Sequence, residues 1–504
     1  MKPYSYCVFP RLDIDKFIAD SEYANEISNL VMLGVGGFCV FGRVAKEHVT
    51  KIIKTLQNMR KEPIIFAADF ENGLPMRLLE GTAFPHAMAL GKTGDHKLTF
   101  VASQLIGKEA SSLGINWIFG PVCDINSNPQ NPVINIRSFG EDREVVGLHA
   151  SAYARGLAEA GVLSCGKHFP GHGDTSVDSH LDLPVLEKSI EELNNFEIEP
   201  FKKVIANGVS SIMMGHLLVP SIDKEMPTSL SKKAVDLLKD DLNFSGIIIT
   251  DALDMGAISK KYNSGEASEL ALKAGNNIAL MPENASESIE HLEKLYNSDK
   301  DFQKLLDKNA SFLIEKFKLI SEKKPFYSDK LKDEYLQHEK VALRIARLST
   351  ELKIKKVITP ISEDAQIAVF AFLQGDEDFK KASMFYNLLA QALENDMDAA
   401  FIDENISPTD LQGMKEGTAN ADIYIFCYYY KGRAFAGNLA LPERINNIKE
   451  YLTGKHSDTI NIFFGDPYLE PNIEGEMSIL TYSDSLASLA SSVMVLSGRD
   501  LPTD

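Results

Sequence analysis

"SIEELNNFEIEPFKKVIANGVSSIMMGH", residues 189–216, changes character at Gly208. Before that glycine, apolar residues recur at helical spacing. After it, "VSSIMMGH" is a short unalternating apolar run closed by His216. A glycine ends a helix well, and a continuous apolar run suits a strand covered on both faces. The same alternation repeats from residue 6 to about 283. Its runs are "YCVFPRL", "GGFCVFG", "PIIFAADF", "INWIFGP", "GVLSCGKHF", "VSSIMMGH", "GIIITDA" and "NNIALMP". Eight strands joined by helical crossovers predict an α/β chain with a (β/α)8 TIM-type barrel. A doubly wound open sheet is the structural alternative.

The 504 residues exceed one ordinary core. We assign residues 1–330 to the barrel domain, with a helical connector at its end. Residues 351–504 form a smaller α/β domain with strands in "AQIAVFAFLQG", "DIYIFCYYY", "TINIFFGDPYL" and "MSILTYS". That second domain is expected to be a packing partner, with "CYYYKGR" at residues 427–433 capping a buried strand. The formal charge of −19, from 52 basic and 71 acidic residues, argues against nucleic-acid and anionic-membrane partners. The N-terminus has no long apolar leader and no run is long enough to span a membrane, so a cytoplasmic location is expected unless a signal peptide was removed. Five scattered cysteines suit buried free thiols better than disulfides.

Polar residues gather where the apolar runs end. Asp69 closes "FAAD", Lys167 and His168 close "LSCGKH", His216 closes "IMMGH" and Asp251 closes "IIITD". In a barrel these ends share one mouth, where barrel enzymes build their sites.

The loop "KHFPGHGDTSVDSHLDLP", residues 167–184, adds three histidines and three aspartates. His168 and His172 have the i, i+4 spacing of a zinc-binding helix, but Pro170 and Gly171 break any helix there. The aspartates lack calcium-loop order. No metal and no cofactor is expected. If "DSH" is extended, Asp178 and His180 point the same way, and the carboxylate fixes the imidazole tautomer for proton transfer. A loop whose aspartates only cap turns is the alternative.

These segments, together with "IFGPVCDINSNPQNPVINIRSFGEDREVV" and "GIIITDALDMGAI", resemble glycoside hydrolase family 3, in its β-N-acetylhexosaminidase branch. "FGDPYL" and the segment ending "GRDLP" are similar to the family's C-terminal α/β sandwich domain. The resemblance implies Asp251 as nucleophile and His180 as acid/base, held by Asp178. It implies Asp69, Arg77, Arg137, Lys167 and His168 as the grip on an N-acetylglucosamine ring, with His216 near that sugar. It also implies a saccharide or muropeptide substrate from peptidoglycan turnover. Where the family pattern is "DxEGGRVxR", this chain has "DFENGLPMR": Asn72 replaces a glycine and Leu74 an arginine.

Retaining glycoside hydrolysis needs an attacking carboxylate and an acid on the leaving oxygen. Lys167 and Arg137 beside Asp251 would keep it ionised. Gly171 and Gly173 would let the His180 arm swing. Three alternatives stand beside hydrolysis of N-acetylglucosaminides: a phosphorylase on the same fold, a β-glucosidase or xylosidase, and a non-enzymatic sugar-binding relative.

Overall fold

The computed structural model describes residues 2–321, 331–393, 395, 397–403, 405–432, 443–453 and 458–498. The expected domain limits at 330 and 504, Arg433, and residues 499–502 of the closing "GRDLP" lie outside them.

All eight apolar runs of the first segment are strands. The chain's first strand is split by Pro10 into β1 (Val8–Phe9) and β2 (Arg11–Asp13). Then come β3 (Gly37–Phe41), β4 (Ile65–Ala68), β5 (Trp117–Ile118), β6 (Cys165–Phe169), β7 (Ser211–Met214), β8 (Ile247–Thr250) and β9 (Ala279–Leu280). Parallel ladders join β2 to β3, β3 to β4 and β4 to β5. Others join β6 to β7, β7 to β8 and β1 to β9. Single parallel bridges, Trp117 with Leu163 and Ile249 with Ile278, link the remaining neighbours. The result is a curled parallel sheet with helices outside it. Apart from β2, whose Arg11 is exposed, its strands are almost wholly buried, as parallel strands with covered faces must be. Because every pair is parallel, the carboxyl ends of the strands open on one side.

Trp117, the chain's single tryptophan, is fully buried inside the curl. Its ring meets Phe9 edge-on, and Phe317 of helix Lys300–Ser321 packs against both. The helical connector therefore packs into the core of the first segment. Helix Leu331–Ser349 also returns to it, where His338 Nδ1 lies 2.6 Å from buried Glu109.

The second segment forms a six-stranded sheet. It adds β10 (Glu351–Ile354), β11 (Ile367–Leu373), β12 (Met397–Ile402), β13 (Ile423–Tyr429), β14 (Asp458–Phe463) and β15 (Met477–Leu480). The order is β10-β15-β14-β13-β11-β12, parallel except for β10. Along β11, Ile367, Val369 and Ala371 join one apolar cluster, while Ala368, Phe370 and Phe372 join another on the opposite face. The second cluster also contains Met88, Ala89 and Ile136, so the first segment covers part of that face. All five cysteines are buried free thiols.

Trp117 Nε1 donates to Ser211 Oγ at 3.0 Å, and Ser211 Oγ donates to Ser164 O at 2.7 Å. Ser211→Ala strands the indole N–H in an apolar interior. Unfolding in urea, followed by Trp117 fluorescence, is expected to show a loss of about 1–3 kcal/mol.

Candidate active site

The open side of the curled sheet leads into a cavity of about 1090 Å³. Asp69, Glu71, Lys167, His168, His180 and Asp251 all face it. Arg77 and Arg137 line it as well. The structure thus brings together the expected residues from strand ends far apart in sequence.

One side is an ion cluster. The Lys167 ammonium, buried, lies 2.9 Å from Asp69 and 2.6 Å from Glu71. Arg77 completes Asp69 at 2.9 Å, and Arg137 grips Glu71 with Nε and Nη2 at 3.0 and 2.8 Å. Burial pushes both carboxyls up, but Lys167 with Arg77, and Arg137 with Lys167, hold them well below the usual carboxylate range. Burial alone would lower Lys167; its two carboxylates reverse that and raise it. Arg77 stacks on Phe41, its guanidinium carbon 4.7 Å from the ring centroid.

The other side is built around histidines. Asp251 follows β8 directly; its amide donates to Met214 O at 2.9 Å, and its Oδ1 accepts from Ala252 N at 2.8 Å. Burial raises this carboxyl too, yet its pKa is lowered overall, chiefly by His168 and His216, with the Ala252 amide and His180 adding to the effect. Lys167 and Arg137, expected to keep Asp251 ionised, are instead ion-paired to Asp69 and Glu71. His168 is set by Asp124, whose Oδ2 lies 2.7 Å from Nδ1 and whose Oδ1 accepts from His168 N and His172 N.

His216, which the resemblance places near the sugar, lies close enough to Asp251 to lower its pKa but is not among the cavity's lining residues. It is fully buried, with Nδ1 2.7 Å from Ser229 Oγ and Nε2 2.8 Å from Ala252 O. It therefore positions the backbone that carries Asp251, from behind.

The "DSH" pair forms, but by a different geometry. The stretch is a turn: Leu181 N and Asp182 N both donate to Asp178 O. Asp178 Oδ1 accepts from His180 N at 2.8 Å and lies 2.8 Å from His180 Nδ1. A carboxylate only accepts, so Nδ1 is the donor and the Asp178 contact fixes which ring nitrogen carries that hydrogen. The turn is docked against the segment that follows Asp251, because Gly256 N and Ala257 N donate to His180 O and Ser179 O.

The loop glycines serve close approach. A Cβ at Gly173 would stand 1.6 Å from Ile125 O, and Gly171 has φ +134°. His172 is locked between Thr175 Oγ1 and Ser179 Oγ at 2.7 and 3.1 Å, so the loop is pinned between its halves.

Several site residues had no assigned role in the sequence. Glu71 lies within "DFENGLPMR", where local periodicity gives it no role. Asp124 closes "IFGPVCD", a strand-end signal like the others. Asp254, on the cavity wall, is pushed up to about 6 by burial, with Arg11 opposing and Asp251 reinforcing the shift. Lys431 and Gly432 of "CYYYKGR" also line the cavity, as do Lys381 and Asp484. The second segment is thus a wall of the site and does more than pack against the first.

The chain belongs to glycosyl hydrolase family 3. Residues 14–314 match the family described as "Glycosyl hydrolase family 3 N terminal domain". It is similar to Beta-hexosaminidase A of Pseudoalteromonas piscicida, with 37% identity over 284 residues, which is 51% of this chain. The match covers 47% of that protein, so the chain spans about half the length of this relative. The fold is similar to the solved family 3 beta-N-acetylglucosaminidase from Paenibacillus sp. (TM-score 0.84, 24% identity, 99% of this chain and 97% of that one). It is also similar to "Beta-glucoside phosphorylase BglX" (TM-score 0.83, 22% identity, 99% and 91%). No helix among the described residues is long and apolar enough to cross a membrane.

Two outcomes follow from the loop's anchoring. A Cβ at Gly256 would stand 2.6 Å from His180 O. Gly256→Ala is expected to cost about 1–3 kcal/mol in stability and to lower kcat more than it raises KM. Burial lowers the pKa of His172 to about 4. The unfolded imidazole, near 6.5, then takes up a proton that the native ring refuses, so this group's contribution to stability is lost as pH falls from 6.5 towards 4. Across that window the stability gap between the parent and His172→Gln is expected to narrow by about 1.4 kcal/mol per pH unit in urea titrations.

Proposed function

We propose that the protein is a retaining exo-β-N-acetylglucosaminidase that hydrolyses terminal β-linked N-acetylglucosamine, with peptidoglycan fragments as its source. We read residues 1–330 as a (β/α)8 barrel with its connector, and residues 351–504 as an α/β sandwich. The observation that carries the function is the placement of Asp251 and the Asp178-oriented His180 on one cavity, beside the ion cluster of Asp69, Glu71, Lys167 and Arg137.

In the first step an Asp251 oxygen attacks the anomeric carbon. The bond to the leaving oxygen breaks, and that oxygen takes the proton from the His180 imidazolium at Nε2. In the second step water attacks the same carbon. Neutral Nε2 takes a proton from the water, and Asp251 departs as a carboxylate. Asp178 stabilises the imidazolium and fixes which nitrogen works. Asp69, Arg77, Arg137, Lys167 and His168 supply donors and acceptors for the sugar's hydroxyls and acetamide.

A β-glucosidase or xylosidase reading requires a proton donor from the second segment. Of the acids it places on the cavity, Asp484 is held well below the carboxylate range, against its burial, by Lys431 and Lys381. Glu377 is paired with Arg43 at 2.8 Å. Asp376, the third such acid, has no ion pair among the described residues, so His180 is favoured by its Asp178 partner and not by exclusion. Phosphorolysis is the second reading, supported by the fold shared with the phosphorylase and by an acid/base that is neutral when an anionic acceptor enters.

Asp251→Asn is expected to lower turnover of an N-acetylglucosaminyl disaccharide by roughly 10³-fold or more. His180→Ala is expected to lose roughly 10²- to 10⁴-fold on that disaccharide and far less on an aryl glycoside with an activated leaving group, which needs little protonation. Full activity of Asp251→Asn overturns the mechanism and favours a sugar-binding relative. Strong acceleration by phosphate, with a glycosyl phosphate as product, replaces hydrolysis by phosphorolysis.

A further inference from the structure

The turn that carries Asp178 and His180 is the middle of a longer loop whose two ends meet. Lys188, at its end, places Nζ 2.8 Å from Oδ2 of Asp174, at its start. The same ammonium donates to Glu197 Oε1. Glu197 stands outside the loop, between helices Ile190–Asn195 and Glu199–Ala206. Its side chain is 3% exposed, against 21% for Lys188 and 35% for Asp174. Its other oxygen, Oε2, is buried without a hydrogen-bond partner, and Lys188 is its only ion pair among the described residues. A buried carboxylate in that state depends on its one cation. Glu197 is also packed against the base of the loop, since a Cβ at Gly171 would stand 2.8 Å from Glu197 Cβ.

Apolar packing does not hold the middle of this loop. Val177 and Leu181, on either side of the Asp178–His180 pair, are 40% and 41% exposed, and Val185 is exposed as well. The contacts that hold it are polar. His172 pins Thr175 and Ser179, the amides of Gly256 and Ala257 hold the turn, and Lys260 Nζ donates to Leu181 O. On the return leg Leu218 N donates to Pro184 O and Leu186 N donates to Leu218 O, both at 2.9 Å. Beyond Leu186 it is Lys188 that ties the return leg to the start. Burial alone would lower the pKa of Lys188, but Asp174 and Glu197 raise it, so the ammonium stays charged.

We propose that Lys188 is a positioning residue for His180: by joining Asp174 to Glu197 it closes the loop of residues 174–188 on a buried post and holds the Asp178–His180 pair in register with Asp251. The inference rests on the reading of His180 as the acid/base. Fixing the two ends of a segment removes conformational freedom from everything between them. Proton transfer to a leaving oxygen is sensitive to that freedom, because the donor must lie within hydrogen-bond reach of the oxygen. A misplacement of about 1 Å costs up to roughly 10²-fold in rate. Asp251 follows β8 and is touched by no part of the clamp, so the clamp bears on protonation of the leaving group and not on nucleophilic attack.

The test compares kcat/KM on an N-acetylglucosaminyl disaccharide, whose departing sugar needs a proton, with kcat/KM on an aryl N-acetylglucosaminide whose activated leaving group does not. Asp174→Ala cuts the loop arm of the clamp and leaves Glu197 paired with Lys188. It is expected to lose roughly tenfold or more on the disaccharide and no more than about twofold on the aryl glycoside, with an unchanged urea midpoint. Lys188→Gln is expected to show the same selectivity together with a lower urea midpoint, because it strands Glu197. Lys188→Arg, which keeps a cation for both carboxylates, is expected to restore most of the disaccharide activity. In a His180→Ala background, Asp174→Ala is expected to add no further loss. Equal losses on the two substrates, or no loss on the disaccharide, overturn the inference where His180→Ala itself discriminates between them. A His180→Ala variant that does not discriminate overturns the acid/base reading, and the inference with it.

Discussion

Lys167 sits within β6 with its ammonium out of water and two carboxylates around it. An unpaired charge in that position would be untenable, because desolvating an ammonium costs several kcal/mol. Asp69 and Glu71, just beyond β4, are therefore obliged to stand where they do, and Arg77 and Arg137 complete them. This network joins strand ends from separate parts of the chain and fixes one side of the cavity before any sugar arrives. It is a constraint more than a source of stability: an apolar cluster of similar volume would fold as well or better. A rigid array of donors and acceptors on one side of the cavity is what the buried charges provide.

With the strong cations committed to that cluster, Asp251 is left to histidines and backbone. His168, His216 and His180 lower its pKa against the effect of burial. His216 holds the carbonyl of the next residue, Asp124 holds His168, and Asp178 holds His180. Each working group thus has one orienting partner, and the turn carrying His180 is fastened to the segment that follows Asp251.

The second segment enters by geometry alone. Its sheet buries one face partly against Met88, Ala89 and Ile136, which brings the ends of β11 and β13 over the opening. The apolar contact and the polar wall are consequences of the same docking. The chain encloses its cavity with two sheets of different architecture, and the chemistry is concentrated on the first.

Much of this was legible in the sequence. The eight apolar runs, the four central strands of the second sheet and the polar strand ends follow from local periodicity, which survives into the fold because parallel strands are buried on both faces. The two edge strands, β10 and β12, were missed: "ELKI" is mostly exposed and carries no apolar run, and the apolar part of "MDAAFI" is short and only partly buried. Several of the side chains that meet at the cavity were also available, since Asp69, Lys167, His168 and Asp251 lie where apolar runs end. Which of them pair with which was not. That Lys167 serves Asp69 and Glu71 rather than Asp251, that His216 works from behind, and that a lysine in "CYYYKGR" faces the cavity all depend on distances between segments remote in the chain. Periodicity along a sequence fixes the direction of a side chain within its own element; only the closing of the sheet and the docking of the second one decide what that side chain meets.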